Sequence, residues 1–211
     1  MRAYLTEAIG TFFLVLTIGL TVLGASPMAP LAIGASLMIM VYMGGHVSGA
    51  HYNPAVTLAV ALRGKLPARE VVPYWIAQLA GAIFAALVVR AVLGRTFAPA
   101  PAGTATAVQA LLVEFFYTFA LALVVLQVAT SPRTEGNSYY GLAIGFTIVV
   151  AAFAGGPVSG GAFNPAVGTG PTIVNAVLGG GSWSHLWLYL VGPLAGGAAA
   201  AGVYRLQEDK A

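Results

Sequence analysis

Two Asn-Pro-Ala triplets carry the clearest polar pattern in the chain. They are formed by Asn53, Pro54 and Ala55, and by Asn164, Pro165 and Ala166. Asn is a favoured N-cap, and Pro suits the first helical position, where an N–H would have no helical partner. Each triplet therefore predicts a helix start. If each Asn carbonyl caps its own helix, we expect the amide NH2 to remain free to donate into a lumen, where it would orient a passing water or hydroxyl by its oxygen.

Two carboxylates occupy apolar stretches of the sequence. Glu7 and Glu114 lie at corresponding places in the two halves of the chain. An ionised group in such a stretch is costly unless it is satisfied, and it often marks a proton path. Because the two positions are related by the repeat described below, we expect them instead to accept hydrogen bonds from backbone N–H groups of the triplet loops.

Two histidines flank the Ser-Gly pair before the first triplet. We expect His46 to hydrogen-bond loop backbone and His51 to face a cytoplasmic vestibule. The chain has no Cys and only three His, which is a thin supply of metal ligands. It also shows no set of nucleophile, base and orienting group. We therefore expect no metal site, no cofactor, no catalytic residue and no enzyme activity.

The composition indicates the environment in which these residues act. Only 7% of the residues are charged and 59% are hydrophobic, whereas a soluble domain carries about 25% charged residues. This excludes an ordinary soluble domain, and such high hydrophobicity also excludes disorder. The net charge of +3 comes from scattered basic residues, so no nucleic-acid partner is expected. The chain is predicted to be a polytopic protein of the lipid bilayer.

Six apolar stretches are long enough to cross a bilayer. They cover residues 4–23, 31–49, 71–93, 108–130, 139–156 and 183–204. Two shorter apolar segments, 53–62 and 164–178, open with the triplets and are predicted to be half-helices that enter from opposite sides.

The basic residues predict the orientation of the spans. With a cytoplasmic N-terminus, seven of the nine fall on the inside, and only Arg90 and Arg95 fall outside. The inside set is Arg2, Arg63, Lys65, Arg69, Arg133, Arg205 and Lys210. Cytoplasmic loops carry an excess of Lys and Arg, so both termini are expected in the cytoplasm.

The two halves of the chain are related by an internal repeat. Glu7 corresponds to Glu114, and the segment 47–56 recurs at 158–167 with its Val-Ser-Gly and Asn-Pro-Ala-Val intact. The repeats cover residues 1–95 and 107–206 of a single membrane domain, 1–211. Each repeat holds three spans, and three is odd, so the second enters the membrane with opposite polarity. The repeat is therefore predicted to be inverted.

The segments 46–57 and 157–166 resemble the two signature segments of the aquaporin, or major intrinsic protein, family. This resemblance implies an all-α membrane protein with six transmembrane helices and two half-helices, packed in a right-handed bundle. It also implies one pore in each subunit of a homotetramer. The expected function is a passive channel for small neutral solutes.

The expected selectivity filter departs from the family pattern. Most aquaporins have an arginine after the second Asn-Pro-Ala, and here Val167 stands in its place. The other filter positions, aligned by their distance from the Asn residues, are Ile33, Ala152 and Gly161. Loss of the five guanidinium donors removes polar compensation and widens the constriction. We therefore expect passage of water, of glycerol- or urea-sized solutes, and of metalloid hydroxides such as arsenite.

The sequence also suggests a source for the protein and leaves two alternative functions open. The missing arginine resembles the arsenic-associated bacterial members of the family, and a bacterial inner membrane is expected from the short loops and termini. A water-selective aquaporin is the first alternative. An alternating-access secondary transporter is the second, because such transporters also use inverted repeats and broken helices.

Overall fold

The structure is a computed structural model, and it describes residues 1–208. Most of these residues lie in helices. Lys210, one of the basic residues assigned above to the inside, lies outside the described residues. Within 1–208 there are eight α-helices and one 3-10 helix, with no β-strand. The α-helices are α1 (Arg2–Leu23), α2 (Ala29–Ser48), α3 (Pro54–Leu62), α4 (Ala68–Leu93), α5 (Ala107–Ala129), α6 (Tyr140–Ser159), α7 (Pro165–Leu178) and α8 (Leu186–Gln207).

Six of these helices are long and apolar enough to span a membrane, namely α1, α2, α4, α5, α6 and α8. They correspond one to one with the six predicted spans, and α3 and α7 correspond to the two predicted half-helices. The fold class is thereby confirmed. The short 3-10 helix Pro132–Thr134 was not predicted.

Helix α6 extends three residues past its predicted end at residue 156. Pro157 does not stop it, because a proline near a helix end removes a single backbone hydrogen bond. The helix ends instead at Gly160, whose φ of 87° lies in the left-handed region that favours glycine.

Glycines set the closest helix crossings. A Cβ added to Gly34 on α2 would lie 2.5 Å from the carbonyl oxygen of Gly145 on α6. A Cβ on Gly81 would lie 2.2 Å from a carbonyl oxygen of α1, and one on Gly196 would lie 2.4 Å from a carbonyl oxygen of α5. These distances leave no room for a side chain. Small residues at close helix crossings are typical of helix bundles in membranes.

Each half-helix packs against a long helix of the other half of the chain. Helix α3 contacts α8 and helix α7 contacts α4. Gly197 of α8 shows how close this packing is, since a Cβ there would lie 2.5 Å from the carbonyl oxygen of Ala55. The half-helices also contact each other. This arrangement brings both triplets to the centre of the bundle.

Candidate pore between the half-helices

Both half-helices begin at the Asn of their triplet. Asn53 and Asn164 have extended backbones, with φ of −155° and −162°. The side-chain oxygen of Asn53 accepts from the N–H of Ala55 at 2.8 Å, and that of Asn164 accepts from the N–H of Ala166 at 2.9 Å. Each Asn therefore caps its own helix, and the prolines occupy the first helical position.

The amide groups of the two Asn residues are not wholly free, which corrects the sequence expectation. Nδ2 of Asn53 donates to the carbonyl oxygen of Phe163 at 2.9 Å, and Nδ2 of Asn164 donates to that of Tyr52 at 2.8 Å. Each bond joins the two loops, because the loops approach closely at the centre. An amide NH2 has two N–H donors. One N–H per Asn is thus available to the lumen.

Glu7 is buried beneath the first triplet loop. Its carboxylate accepts from the backbone N–H groups of His51 at 2.9 Å and Tyr52 at 2.6 Å, and from the hydroxyl of Ser48 at 2.7 Å. Tyr52 has φ of 49°, a left-handed conformation uncommon for a residue with a side chain. The hydrogen bonds that the loop N–H groups donate to Glu7 stabilise the loop in this conformation.

Glu114 makes the matching set of bonds under the second loop. It accepts from the N–H groups of Ala162 at 2.9 Å and Phe163 at 2.6 Å, and from the hydroxyl of Ser159 at 2.8 Å. Phe163 has φ of 50°. The two carboxylates therefore position the two loops by the same geometry, and their oxygens are engaged there.

The structure contradicts the sequence expectation for His46, whereas His51 lines a wide cavity that is described in the next paragraph. The side chain of His46 is exposed in the last turn of α2 and makes no hydrogen bond within residues 1–208, so the expected bond to loop backbone is wrong. The reason is that the loop N–H groups of His51 and Tyr52 donate to the Glu7 carboxylate instead. His51 is only 6% exposed, and its Nδ1 lies 3.1 Å from the hydroxyl of Thr57.

The expected filter positions share one narrow cavity with the two Asn residues. Its volume is about 40 Å³. Its lining includes Ile33, Ala152, Gly161, Val167, Asn53 and Asn164. A wider cavity of about 720 Å³ is lined by the ends of α2 and α5 and by the segment that joins α5 to α6. His46 and His51 both line this wider cavity, which we call the vestibule.

Several further residues hold the loops. Gln78 donates to Glu7 at 2.8 Å, and the indole N–H of Trp75 donates to the carbonyl oxygen of Pro54 at 3.0 Å. The hydroxyl of Tyr74 donates to the carbonyl oxygen of Ser48 at the end of α2. Its repeat equivalent on α8, Tyr189, donates to that of Ser159 at the end of α6. The sequence signal that could have revealed these residues is a polar side chain inside an apolar span, because a buried polar group needs a hydrogen-bond partner.

Replacing Gln78 by Leu is expected to destabilise the protein by about 1–2 kcal/mol, because a buried donor to Glu7 and Thr57 is lost. Thermal unfolding in detergent measures this. Gln127→Leu is the matched control, since Gln127 bonds another side chain at the surface, and we expect a change within about 0.5 kcal/mol. Equal melting temperatures for wild type and Gln78→Leu would contradict the prediction.

Comparison with known proteins gives consistent similarities. The profile of the family described as Major intrinsic protein matches residues 1–204. Aquaporin NIP1-4 of Oryza sativa subsp. japonica is 42% identical, with 98% of this chain and 77% of the relative covered. Nodulin-26 of Glycine max is 35% identical, with 98% of this chain and 78% of the relative covered.

A solved structure shows the same fold. The aquaglyceroporin from Plasmodium falciparum superposes with a TM-score of 0.87 at 22% sequence identity, covering 96% of this chain and 94% of that one. At 22% sequence identity, this comparison shows that the two proteins share a fold.

Proposed function

Since this chain belongs to the major intrinsic protein family, a family of membrane channels, we propose that it conducts small uncharged solutes passively between its two half-helices. The proposed solutes are water, molecules the size of glycerol or urea, and metalloid hydroxides such as arsenite. The observation that carries the proposal is that a single narrow cavity contains both Asn side chains and all four filter positions, none of which is charged.

The centre of the pore selects against cations in this proposal. The N-termini of α3 and α7 meet there, and each carries partial positive charge from its helix dipole. The remaining N–H of Asn53 and of Asn164 donates to the oxygen of a passing solute. A solute oxygen is stabilised at this point and a cation is repelled.

The filter sets the size limit in this proposal. Val167 is buried and lines the cavity at the position where the family usually has arginine. With Ile33, Ala152 and Gly161 around it, the ring offers no side-chain hydrogen bond and little bulk. Such a ring favours neutral solutes that shed their hydration easily, and it weakens the electrostatic barrier at the mouth.

The membrane placement is proposed from the basic residues. Six spans put both termini on one face, and that face carries the loop with Arg63, Lys65 and Arg69. We propose that this face is cytoplasmic. The proteins named above come from plants and Plasmodium, so a bacterial inner membrane stays a prediction from the sequence. A homotetramer with one pore per subunit is proposed from family membership.

The test is solute flux into proteoliposomes of the purified protein. Water, glycerol, urea and arsenite are measured side by side by stopped-flow light scattering or uptake, with empty liposomes as the control. We expect all four to enter faster than into empty liposomes, with no effect of a proton gradient. Exclusion of everything larger than water would overturn the wide-filter proposal.

A water-selective channel is the second candidate, and the small volume of the filter cavity favours it. About 40 Å³ holds only a short file of waters. The same flux experiment separates the two candidates by the ratio of glycerol to water. Counterflow or dependence on a proton gradient would instead indicate an alternating-access transporter.

A further inference from the structure

A hydrogen bond ties the second half-helix to the segment that joins α4 to α5. Oδ1 of Asn175, in the last turn of α7, accepts from the hydroxyl of Thr96 at 2.7 Å. Thr96 belongs to residues 95–106, which we call the connecting segment. Both side chains lie outside the narrow cavity, so the mechanism proposed above gives this bond no role.

The repeat shows that this bond is not needed to form a half-helix. Helix α7 has 14 residues and α3 has nine. The repeat equivalent of Asn175 is Gly64, which lies beyond the end of α3 and has no side chain to make such a bond. The extra length of α7 and its polar side chain are therefore specific to the second half of the pore.

Two glycines fit closely around the bond. A Cβ added to Gly179 would lie 2.0 Å from the hydroxyl oxygen of Thr96, and one added to Gly181 would lie 2.1 Å from Nδ2 of Asn175. The N–H groups of both glycines donate to the backbone oxygen of Asn175, at 2.9 and 3.0 Å. The chain after α7 thus closes around Asn175, and only residues without a side chain leave room for the Thr96 hydroxyl.

The connecting segment is also anchored by the next residue. Phe97 is 9% exposed, and a Cβ added to Gly19 of α1 would lie 2.6 Å from its ring and 2.6 Å from Val89 of α4. Thr96 therefore attaches to α7 while Phe97 packs against α1 and α4. The two adjacent residues join three helices at the start of the segment.

Further along, the connecting segment packs against the second triplet loop. A Cβ added to Gly160 would lie 2.5 Å from the carbonyl oxygen of Ala100. The N–H of Ala102 donates to the carbonyl oxygen of Val158 at 3.0 Å. The residue after Gly160 is the filter residue Gly161, which lines the narrow cavity. The segment therefore lies directly against the backbone that carries one side of the filter.

The filter itself offers no side chain that could hold the segment in place. Ile33, Ala152, Gly161 and Val167 have no polar side-chain atom. We infer that Thr96 and Asn175 are a positioning pair for the filter, whose hydrogen bond keeps the connecting segment against the second triplet loop and so limits the size of the solutes that pass. This inference rests on the proposed channel function.

The bond acts on the filter through a short length of chain. Four residues separate Thr96 from Ala100 and span at most about 14 Å, so a displacement of Thr96 is passed on with little slack. Loss of one hydrogen bond shifts a local opening equilibrium by roughly three- to tenfold. Gly161 is then free to move outward for a larger fraction of the time. Large solutes gain from this, whereas water already fits.

The experiment measures flux of water, glycerol and the longer polyol ribitol into proteoliposomes. Thr96→Val and Asn175→Leu each remove one partner at similar volume, and Thr96→Ser keeps the hydroxyl. We expect the ratio of ribitol to glycerol flux to rise by roughly three- to tenfold in the first two and to stay within about twofold in Thr96→Ser. The double variant should rise no further than either single one, because both remove the same bond.

Two further variants keep the test sharp. Gly179→Ala retains both polar groups but leaves no room for the Thr96 hydroxyl, and its φ of −121° suits alanine, so we expect the same rise. Thr104→Val is the matched control, since Thr104 lies exposed in the same segment, and its ratio should equal that of wild type. If wild type conducts water alone, the same rise is expected in the ratio of glycerol to water.

The outcomes separate this inference from the channel function. If wild type conducts none of the three, the proposed function fails and the inference fails with it. Wild-type flux ratios in Thr96→Val and Asn175→Leu would overturn the inference and leave the channel function intact. So would a lower melting temperature in detergent with all fluxes reduced alike, because the bond would then serve stability alone.

Discussion

Val167→Arg is expected to slow glycerol, urea and arsenite relative to water by one to two orders of magnitude, or about 1.4–2.8 kcal/mol of barrier. Val167 is 3% exposed and lines the same narrow cavity as Gly161, Ile33 and Ala152. A long guanidinium in that space fills volume that a bulky solute needs. It also provides N–H donors that a single water can use.

Stopped-flow flux of each solute against water, in proteoliposomes of both proteins, measures this ratio. Val177→Arg is the matched control, because Val177 lies on the same half-helix and is 69% exposed. Its ratio should equal that of wild type. An unchanged solute-to-water ratio in Val167→Arg would show that this position does not limit solute size.

Asn53→Asp is expected to admit cations and to destabilise the protein. The new carboxylate keeps the cap to Ala55 but loses the N–H that donates to the carbonyl oxygen of Phe163, and two oxygens then face each other. An uncompensated buried charge costs about 3–5 kcal/mol. The two half-helix N-termini each offset about 0.3–1 kcal/mol of that. The remaining charge attracts cations to the place that now repels them.

Potassium flux into proteoliposomes and thermal unfolding in detergent test the two parts of this prediction. Asn53→Ser is the control, since a hydroxyl still caps the helix and introduces no charge. We expect cation flux in the Asp variant alone, and the same result for Asn164→Asp by the repeat. A well-folded Asp variant with wild-type selectivity would show that Asn53 does not line the pore.

The sequence by itself determined the six spans, the two half-helices and their order. A 7% charged composition left only the bilayer as solvent, and span length follows from bilayer thickness. The caps of α3 and α7 were also predictable, because an Asn side chain bonds an N–H only two residues away.

Only the tertiary structure decided which groups of the two loops contact each other at the centre of the pore. The bonds from Asn53 to Phe163 and from Asn164 to Tyr52 join residues 110 and 112 positions apart, so half of the expected lumen donors are used between the loops. Local propensity governs neighbours in the chain, whereas partners brought together by packing depend on how the two halves close on each other.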